Sequence, residues 1–250
     1  MDDWSSYLDS FHRQRPGIAE DVLSRCLSGG HNPYHWLARA VSSSALRVLD
    51  VGCGSGAMGR ELEQDDRVVV GIDISETELR NASGPGPFVR GDARDLPFAD
   101  DSFDAVVSVL GLAVVHPTGR LLDEVRRVLR PGGVFVGLAP TVRPLNTRDM
   151  KVATQLTRRL QGTPEFPAQV ELRAGKLLAA HGLRKVEDAR ERYHFMIGSR
   201  GDAELLMRGF YLPNTLPAKV QSAVDWMTSR AEAGDDLRVP LPLRRVAAIK

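Results

Sequence analysis

The sequence contains little cysteine, since Cys26 and Cys53 are the two cysteines among 250 residues. Two scattered thiols cannot build a disulfide framework or a metal cluster, and we expect no metal site. Net charge is also nearly absent, because 33 lysines and arginines against 32 acids leave +1. This balance gives no electrostatic basis for binding nucleic acid or an anionic membrane, so neither is an expected partner.

Long apolar runs are missing too, and none approaches the length needed to span a bilayer. The N-terminal residues "MDDWSSYLDS" are acidic and polar, unlike a signal peptide. We therefore expect a soluble, cytoplasmic protein, either a monomer or a homodimer. A chain of 250 residues is long enough for one α/β domain with a large core.

Short apolar strands alternate with helices from residue 45 onward. The segments "LRVLDVG", "RVVVGIDIS", "PFVRGDA", "FDAVVSVLGL" and "VFVGLAP" read as five strands, and two more follow near the C-terminus. Continuous apolar strands separated by helices indicate a parallel sheet covered on both faces. The sequence predicts an α/β fold with a Rossmann-like, doubly wound, seven-stranded sheet whose last strand is antiparallel.

Three parts follow from this pattern. Residues 1–44 read as an N-terminal helical lid, in which Trp4, Tyr7, Leu8 and Phe11 recur at helical spacing. A second helix is expected at about 18–27, and a third from Pro33 to about 41. Residues 45–140 form the predicted ligand-binding core, and residues 141–250 add helices and the last two strands.

The helices in 141–167 and 199–236 have two interpretations. They are either a cap over the ligand edge of the sheet or ordinary packing helices. One of them is predicted from a stripe of apolar residues at helical spacing: Met150, Ala153, Leu156 and Leu160.

The glycine-rich stretch "VLDVGCGSGAMG" at 48–59 fits two cofactors. Gly54, Gly56 and Gly59 match the G-x-G-x-x-G turn of dinucleotide-binding proteins, which would indicate an NAD-dependent oxidoreductase. Gly52, Gly54 and Gly56 match the G-x-G-x-G version that binds S-adenosylmethionine. The glycines let the backbone approach either ligand closely, so the loop alone does not decide.

A carboxylate at the mouth of the loop favours the second cofactor. Asp50 lies two positions before the first glycine, where a pyrophosphate would be repelled and an ammonium or sulfonium attracted. Its main expected role is to hold loop N–H groups, with an effect on the ligand's charge. Asp73 ends the second strand and can accept both ribose hydroxyls. Asp92 and the backbone N–H of Ala93 follow the third strand and can bind adenine.

Four ordered motifs, "VLDVGCGSG", "GIDIS", "GDARDLPFADDSFDAVVS" and "EVRRVLRPGGVF", resemble class I S-adenosylmethionine-dependent methyltransferases, and above all the ubiquinone and menaquinone biosynthesis (type 11) group. The resemblance covers about residues 45–140. Where that group often has paired histidines after the fourth strand, this chain has Ala113 and Val114, followed by His116. The resemblance implies S-adenosyl-L-methionine as methyl donor and S-adenosyl-L-homocysteine as product.

The candidate site residues divide into two sets. His12 on the lid and His116 after the fourth strand are the candidate general bases. Arg15 would pair with the methionine carboxylate of the cofactor. The complete cofactor-binding set comprises Arg15, Asp50, Gly52, Cys53, Gly54, Gly56, Asp73, Ile74, Asp92, Ala93 and Val109.

The expected function is methyl transfer to an O, N or C atom of a small hydrophobic or aromatic metabolite, as in secondary-metabolite biosynthesis. Because the sulfonium donor is already activated, positioning and exclusion of water can suffice, and a base is optional. Three alternatives stay open: a quinone-precursor methyltransferase, a non-catalytic protein that binds the cofactor or its product, and the NAD-dependent enzyme.

Overall fold

The computed structural model describes residues 3–167 and 170–250, and its centre is a single sheet. The strands within these residues are β1 (Cys26–Leu27), β2 (Arg47–Val51), β3 (Val68–Asp73), β4 (Phe88–Arg90), β5 (Phe103–Val109), β6 (Leu129–Pro140), β7 (Arg184–Ile197) and β8 (Leu237–Ile249). They lie side by side in the order β1-β7-β8-β6-β5-β2-β3-β4. The order reverses between β2 and β5, which is where doubly wound sheets bind ligands.

The strands pair as a Rossmann-like fold requires. β2 pairs in parallel with β3 and β5, β3 with β4, and β5 with β6. The last strand, β8, runs antiparallel between β6 and β7. The predicted fold class and the antiparallel last strand are therefore confirmed.

The predicted count of seven strands is wrong by one. β1 adds an eighth strand, antiparallel to β7 through Cys26 opposite Phe195 and Leu27 opposite His194. The sequence predicted a helix up to residue 27, but that helix ends at Leu23. A strand of two residues carries no periodicity, so its pattern cannot be told from the end of a helix.

Helices connect the strands. Those in the described residues are α1 (Asp3–Gln14), α2 (Ile18–Leu23), α3 (Pro33–Ala38), α4 (Ala57–Glu61), α5 (Glu76–Asn81), α6 (Gly111–Val114), α7 (Thr118–Val128), α8 (Thr147–Leu160), α9 (Val170–Ala180), α10 (Arg200–Gly209) and α11 (Pro217–Glu232). Side-chain caps begin several of them where the sequence has Asn or Ser. The Asn32 side chain, for example, accepts from the backbone N–H of His35 at the start of α3. None of the helices in this set is long and apolar enough to cross a membrane.

Both faces of the sheet are buried. One core joins the sheet to α2, α3, α4, α8, α10 and α11, and the other joins it to α6, α7 and α9. The helices in 141–167 and 199–236 pack on each other and on β7 and β8, so α8, α10 and α11 act as packing helices. Leu156 and Leu160 of α8 are buried as predicted, but Met150 is exposed and Asp149 takes its place on the inner face.

The N-terminal helix α1 packs over the carboxyl edge of the sheet. Phe11 is buried with Ile18 and Tyr211 in a small cluster that also includes Trp4 and Tyr7. The indole Nε1 of Trp4 donates to the backbone oxygen of Val114 at 2.9 Å. The hydroxyl of Tyr7 accepts from the backbone N–H of Leu212, also at 2.9 Å. These contacts hold α1 across the strand ends.

Candidate functional site

A cavity of about 440 Å³ lies at the carboxyl ends of β2, β3, β4 and β5, beneath α1. Its position matches the point where the strand order reverses. Most of the residues that the sequence singled out line it together, namely His12, Asp50, Gly52, Cys53, Gly54, Asp73, Ile74, Asp92, Ala93, Val109 and His116. The parallel strands bring these residues to one edge because each strand ends there.

The glycine loop between β2 and α4 forms one wall. Gly52, Gly54 and Gly56 have φ angles of 73°, 51° and 88°, a region that side chains other than glycine rarely adopt. Gly56 does not line the cavity and instead starts α4. A Cβ atom at Gly56 would lie 2.4 Å from the backbone oxygen of Ser83, so this glycine serves the fold.

Arg15 does not reach the cavity, contrary to the sequence prediction. Its guanidinium lies 4.7 Å from the centre of the Phe11 ring and donates to the backbone oxygen of Arg208 at 3.5 Å. The aromatic face of Trp4, Tyr7 and Phe11 likewise lies outside the cavity lining. It packs against Tyr211, whereas Ser5, Leu8, Asp9 and His12 are the α1 residues that line the cavity. Arg15, which follows α1, therefore lies outside the cavity lining.

Asp50 lines the cavity at the end of β2 and is 1 % exposed. Neither carboxylate oxygen has a hydrogen-bond partner in the described part of the chain, so the expected bonds to loop N–H groups are absent there. Burial, with a smaller effect from Asp73, raises the pKa of Asp50 to about 8. A buried carboxylate of this kind is costly unless a donor or cation satisfies it.

Asp73 lies at the end of β3, the strand that pairs with β2. One of its oxygens accepts from the backbone N–H of Gly54 at 2.9 Å, and the other from Ser75 at 2.8 Å. Burial raises the pKa of Asp73. These two bonds fix the orientation of the carboxylate against the glycine loop. Each oxygen keeps a lone pair that can accept one more hydrogen bond, so two neighbouring hydroxyl groups of a ligand can still be bound.

Asp92 has a partner that the sequence analysis did not assign. The guanidinium of Arg94 donates to both of its oxygens, at 3.0 Å and 2.7 Å in the shortest contact to each. The hydrogen bonds from Arg94 hold the pKa of Asp92 below its usual range. Arg94 also donates to the backbone oxygen of His116 at 3.0 Å. Asp92 is therefore held mainly by Arg94, and Ala93 lines the cavity beside it.

Cys53 is a buried packing residue within the glycine loop. Burial raises the pKa of its thiol, which disfavours the reactive thiolate. A Cβ atom on Gly71 of β3 would lie 2.9 Å from the Cys53 sulfur, which shows how closely the loop packs on the sheet. His116 lies at the mouth of the cavity and is exposed.

Glu78 and Tyr211 line the cavity as well, and sequence reasoning missed both. Glu78 lies in the first turn of α5, where an acid is an ordinary helix-starting residue. Tyr211 follows α10, far along the chain from the glycine loop. His12 contacts both, with Nδ1 2.9 Å from Glu78 Oε1 and Nε2 3.2 Å from the Tyr211 hydroxyl. No pattern in the sequence joins these three positions.

The electrostatic character of the cavity is acidic. Asp50, Asp73 and Glu78 surround the glycine loop, and Glu20 is paired with Arg60 and the Ser55 hydroxyl. The cavity therefore suits a ligand that brings positive charge and hydroxyl groups to the loop. It opposes a pyrophosphate, whose two negative charges would lie beside the carboxylates of Asp73 and Glu78.

Residues 49–137 match the family model of a methyltransferase domain. The chain is 40 % identical over 122 residues to phthiotriol/phenolphthiotriol dimycocerosates methyltransferase 1 of Mycobacterium ulcerans, a match that covers 46 % of this chain and 44 % of the relative. It is 41 % identical over 127 residues to the demethylmenaquinone methyltransferase of Clavibacter sepedonicus, covering 47 % and 52 %. The chain spans about half the length of these curated relatives.

Solved structures share the fold over most of the chain. A methyltransferase-like protein from Bacillus halodurans, described as a putative methyltransferase, aligns with a TM-score of 0.61 and 19 % identity, covering 87 % of this chain and 98 % of that one. The cyclase SpnF aligns with a TM-score of 0.62 and 20 % identity, covering 97 % and 95 %. At such identities the likeness shows the fold alone. The resemblance drawn from the four sequence motifs is confirmed, since residues 49–137 match the family model of a methyltransferase domain.

Proposed function

We propose that this protein binds S-adenosylmethionine in the cavity and transfers its methyl group to a small hydrophobic or aromatic metabolite. The observation that carries the proposal is the unpartnered, buried carboxylate of Asp50 beside the glycine loop. The ammonium group of the cofactor would supply the missing cation and donor. The matching methyltransferase domain supports the same ligand.

The remaining cofactor groups have matching residues in the cavity lining. Asp73, already oriented by two backbone N–H groups, would accept the two ribose hydroxyls with its free lone pairs. Ile74 is 60 % exposed at the cavity, and an adenine ring would cover its apolar side chain. The backbone N–H of Ala93 and the side chain of Val109 would complete the adenine side.

Bound S-adenosylmethionine supplies a methyl group that is already activated by the sulfonium. The chain then has to position an acceptor and exclude water. α1 closes the cavity from above, and the apolar residues that line the cavity include Leu8, Leu110, Val114, Val115 and Tyr211. Such a lining favours a hydrophobic acceptor. The two relatives act, by their names, on a lipid and on a quinone precursor, which belong to the same chemical range.

A cofactor-binding protein without methyl transfer is the second candidate. The cyclase SpnF covers nearly the whole chain with this fold and, by its name, catalyses a cyclisation, so the fold does not fix the reaction. The two candidates are separated by measuring whether any acceptor causes the protein to convert S-adenosylmethionine to S-adenosylhomocysteine. We expect turnover with at least one compound of an acceptor panel consisting of a naphthoquinol, catechol, a long-chain alcohol and a long-chain amine.

Cofactor identity is tested by calorimetry on the full chain. We expect S-adenosylhomocysteine to bind with micromolar affinity and NAD⁺ not to bind measurably, because the acidic cavity repels a pyrophosphate. An Asp65→Asn variant is a matched control for variants of the cavity acids, since Asp65 is exposed and outside the lining. Binding of NAD⁺ without binding of S-adenosylhomocysteine would overturn the proposed function.

A further inference from the structure

Three side chains from separate parts of the chain form one hydrogen-bonded row along the cavity wall. His12 of α1 places Nδ1 2.9 Å from Oε1 of Glu78, and Nε2 3.2 Å from the hydroxyl of Tyr211. Glu78 is 3 % exposed, and its second oxygen accepts from the backbone N–H of Gly17 at 2.8 Å. Tyr211 is 4 % exposed and packs on Phe11. The row is therefore fixed at both ends.

The chemistry of the first contact sets the direction of the hydrogen bonds. An ionised carboxylate can only accept, so Glu78 places the proton of a neutral His12 on Nδ1. Nε2 of His12 is then an acceptor, and the hydroxyl of Tyr211 must donate to it. The lone pairs of the Tyr211 oxygen remain for the cavity. A ligand group that contacts this oxygen must therefore be a hydrogen-bond donor.

We propose that Tyr211 accepts a hydrogen bond from a hydroxyl group of the methyl acceptor and relays its proton to His12, which makes the acceptor a phenol, enol or alcohol. The proposal rests on the function proposed above and names the acceptor class for that site. An amine that is neutral at working pH attacks through its lone pair and needs no base beforehand, whereas a hydroxyl group must lose a proton. A proton relay that ends at an imidazole and a buried carboxylate can remove the proton that a hydroxyl acceptor must lose.

The step balances in atoms and charge. The electron pair of the acceptor oxygen, or of a ring carbon conjugated with it, forms the bond to the methyl carbon. The bond between sulfur and that carbon breaks, and its electron pair stays on sulfur. The acceptor's proton moves to the Tyr211 oxygen, and the proton of Tyr211 moves to Nε2 of His12. The resulting imidazolium faces Glu78, which stabilises its charge.

The row also assigns a role to each member. Both ring nitrogens of His12 are occupied, by Glu78 and Tyr211, so His12 acts through Tyr211 and not on the acceptor directly. Tyr211 is the catalytic residue of the three, and His12 and Glu78 are positioning residues. Burial raises the pKa of Tyr211, so this phenol stays protonated and passes a proton on without becoming a free phenolate.

The tautomer of His12 tests the row without any acceptor. In the full chain labelled with ¹⁵N-histidine, NMR should show His12 with its proton on Nδ1. Glu78→Gln should move the population toward the Nε2–H form, and Tyr211→Phe should shift the Nε2 resonance. Tyr193→Phe is the matched control, because Tyr193 is a buried tyrosine outside the cavity whose hydroxyl lacks a partner in the described residues. An Nε2–H tautomer in the unmodified protein would overturn the proposal.

Turnover with the acceptor panel tests the relay itself. Tyr211→Phe should lower kcat by about 10²-fold or more with a hydroxyl acceptor, because a positioned base contributes that much, and should leave the affinity for S-adenosylhomocysteine unchanged. Glu78→Gln should also lower kcat, and Tyr193→Phe should leave kcat unchanged. Unchanged kcat in Tyr211→Phe with normal S-adenosylhomocysteine binding would overturn the relay alone. Absence of S-adenosylhomocysteine binding in the unmodified protein would instead overturn the proposed function.

Discussion

Asp50 lies at the end of a central strand, where burial removes the water that would otherwise solvate its carboxylate. With both oxygens buried and unpartnered in the described residues, it is easier to protonate in the folded chain than in the unfolded one. Its pKa is about 8 when folded, against 3.8 as the model value for an aspartate. The folded protein therefore binds more protons between these two values, so stability falls as pH rises through that window.

We expect Asp50→Asn to remove this pH dependence. The variant keeps the shape of the side chain but cannot ionise, so the ligand-free variant should gain stability over the unmodified protein as pH rises from about 4 to 8. The gain is on the order of 4 kcal/mol at pH 7, since each pKa unit corresponds to about 1.36 kcal/mol. Urea denaturation at pH 5 and pH 8 measures it.

The same substitution should weaken binding of S-adenosylhomocysteine at least tenfold, because the ammonium group loses its counter-charge. The variant would then be more stable without ligand but bind S-adenosylhomocysteine more weakly, whereas a misfolded variant would lose both stability and binding. Asp65→Asn, at an exposed position, controls for the loss of one negative charge. A stability difference that is the same at pH 5 and pH 8 would contradict the buried-charge account.

Residues at strand ends could be predicted from sequence, and their hydrogen-bond partners could not. Asp50 and Asp73 were found because the carboxyl ends of parallel strands meet at one edge. The Arg94 guanidinium on Asp92 and the position of Arg15 over Phe11 depend on side-chain rotamers that no spacing rule specifies. Contacts of this kind become visible only when the chain is folded.

At the scale of elements, α1 is the part whose role depends on tertiary contacts. Its apolar stripe predicted a helix correctly, but the stripe packs on Tyr211 while the polar residues Ser5, Asp9 and His12 face the cavity with Leu8. Hydrogen bonds from Trp4 to Val114 and from Leu212 to Tyr7 tie the helix to two distant segments. The helix is therefore attached by a few contacts at the rim and not by the main core.

Deletion of residues 1–14 should leave the sheet folded and weaken cofactor binding. The two large cores of the sheet include no α1 residue, so circular dichroism and cooperative unfolding should persist. Loss of His12 and Leu8 would open the cavity to water, so we expect at least a tenfold loss of S-adenosylhomocysteine affinity in calorimetry and no turnover.

Trp4→Phe is the graded control for the deletion, because it keeps an aromatic ring in the cluster and loses the bond to Val114. Its effect on affinity should be smaller than that of the deletion and in the same direction. Full affinity and turnover after removal of residues 1–14 would show that α1 is not a lid.

Strands rich in apolar residues were predicted well, including the three-residue β4, whereas β1 and the end of α2 were not. β2, β3, β5 and β8 are strands of five residues or more that are rich in apolar side chains, and the sequence located each of them. The two-residue β1 and the early end of α2 at Leu23 have no such pattern. The roles of α8, α10 and α11 also required the structure, since an amphipathic helix shows that it packs but not on what.

At the scale of the whole molecule, charge is nearly balanced but unevenly placed. The net charge is +1, yet Asp50, Asp73 and Glu78 gather at one loop inside the cavity. We therefore expect long-range steering of a ligand to contribute little, and selectivity to arise from short-range contacts with buried carboxylates, which salt screens weakly. We infer that cofactor binding changes little with ionic strength while depending strongly on these few groups.

Ligand-dependent thermal stability tests this account on the intact protein. A ligand that binds only the folded state stabilises it by about 2.7 kcal/mol at 100 times its dissociation constant. For a chain of this size, 1 kcal/mol raises Tm by roughly 2–4 °C, so S-adenosylhomocysteine should raise Tm by roughly 5–10 °C. NAD⁺ at the same concentration should leave Tm unchanged. Asp50→Asn should show a higher Tm without ligand and a smaller shift with it, whereas Asp65→Asn should behave as the unmodified protein. Equal Tm shifts with S-adenosylhomocysteine and NAD⁺ would contradict the account in which the buried carboxylates select the ligand. Loss of the S-adenosylhomocysteine shift on moving from low to physiological salt would contradict it as well.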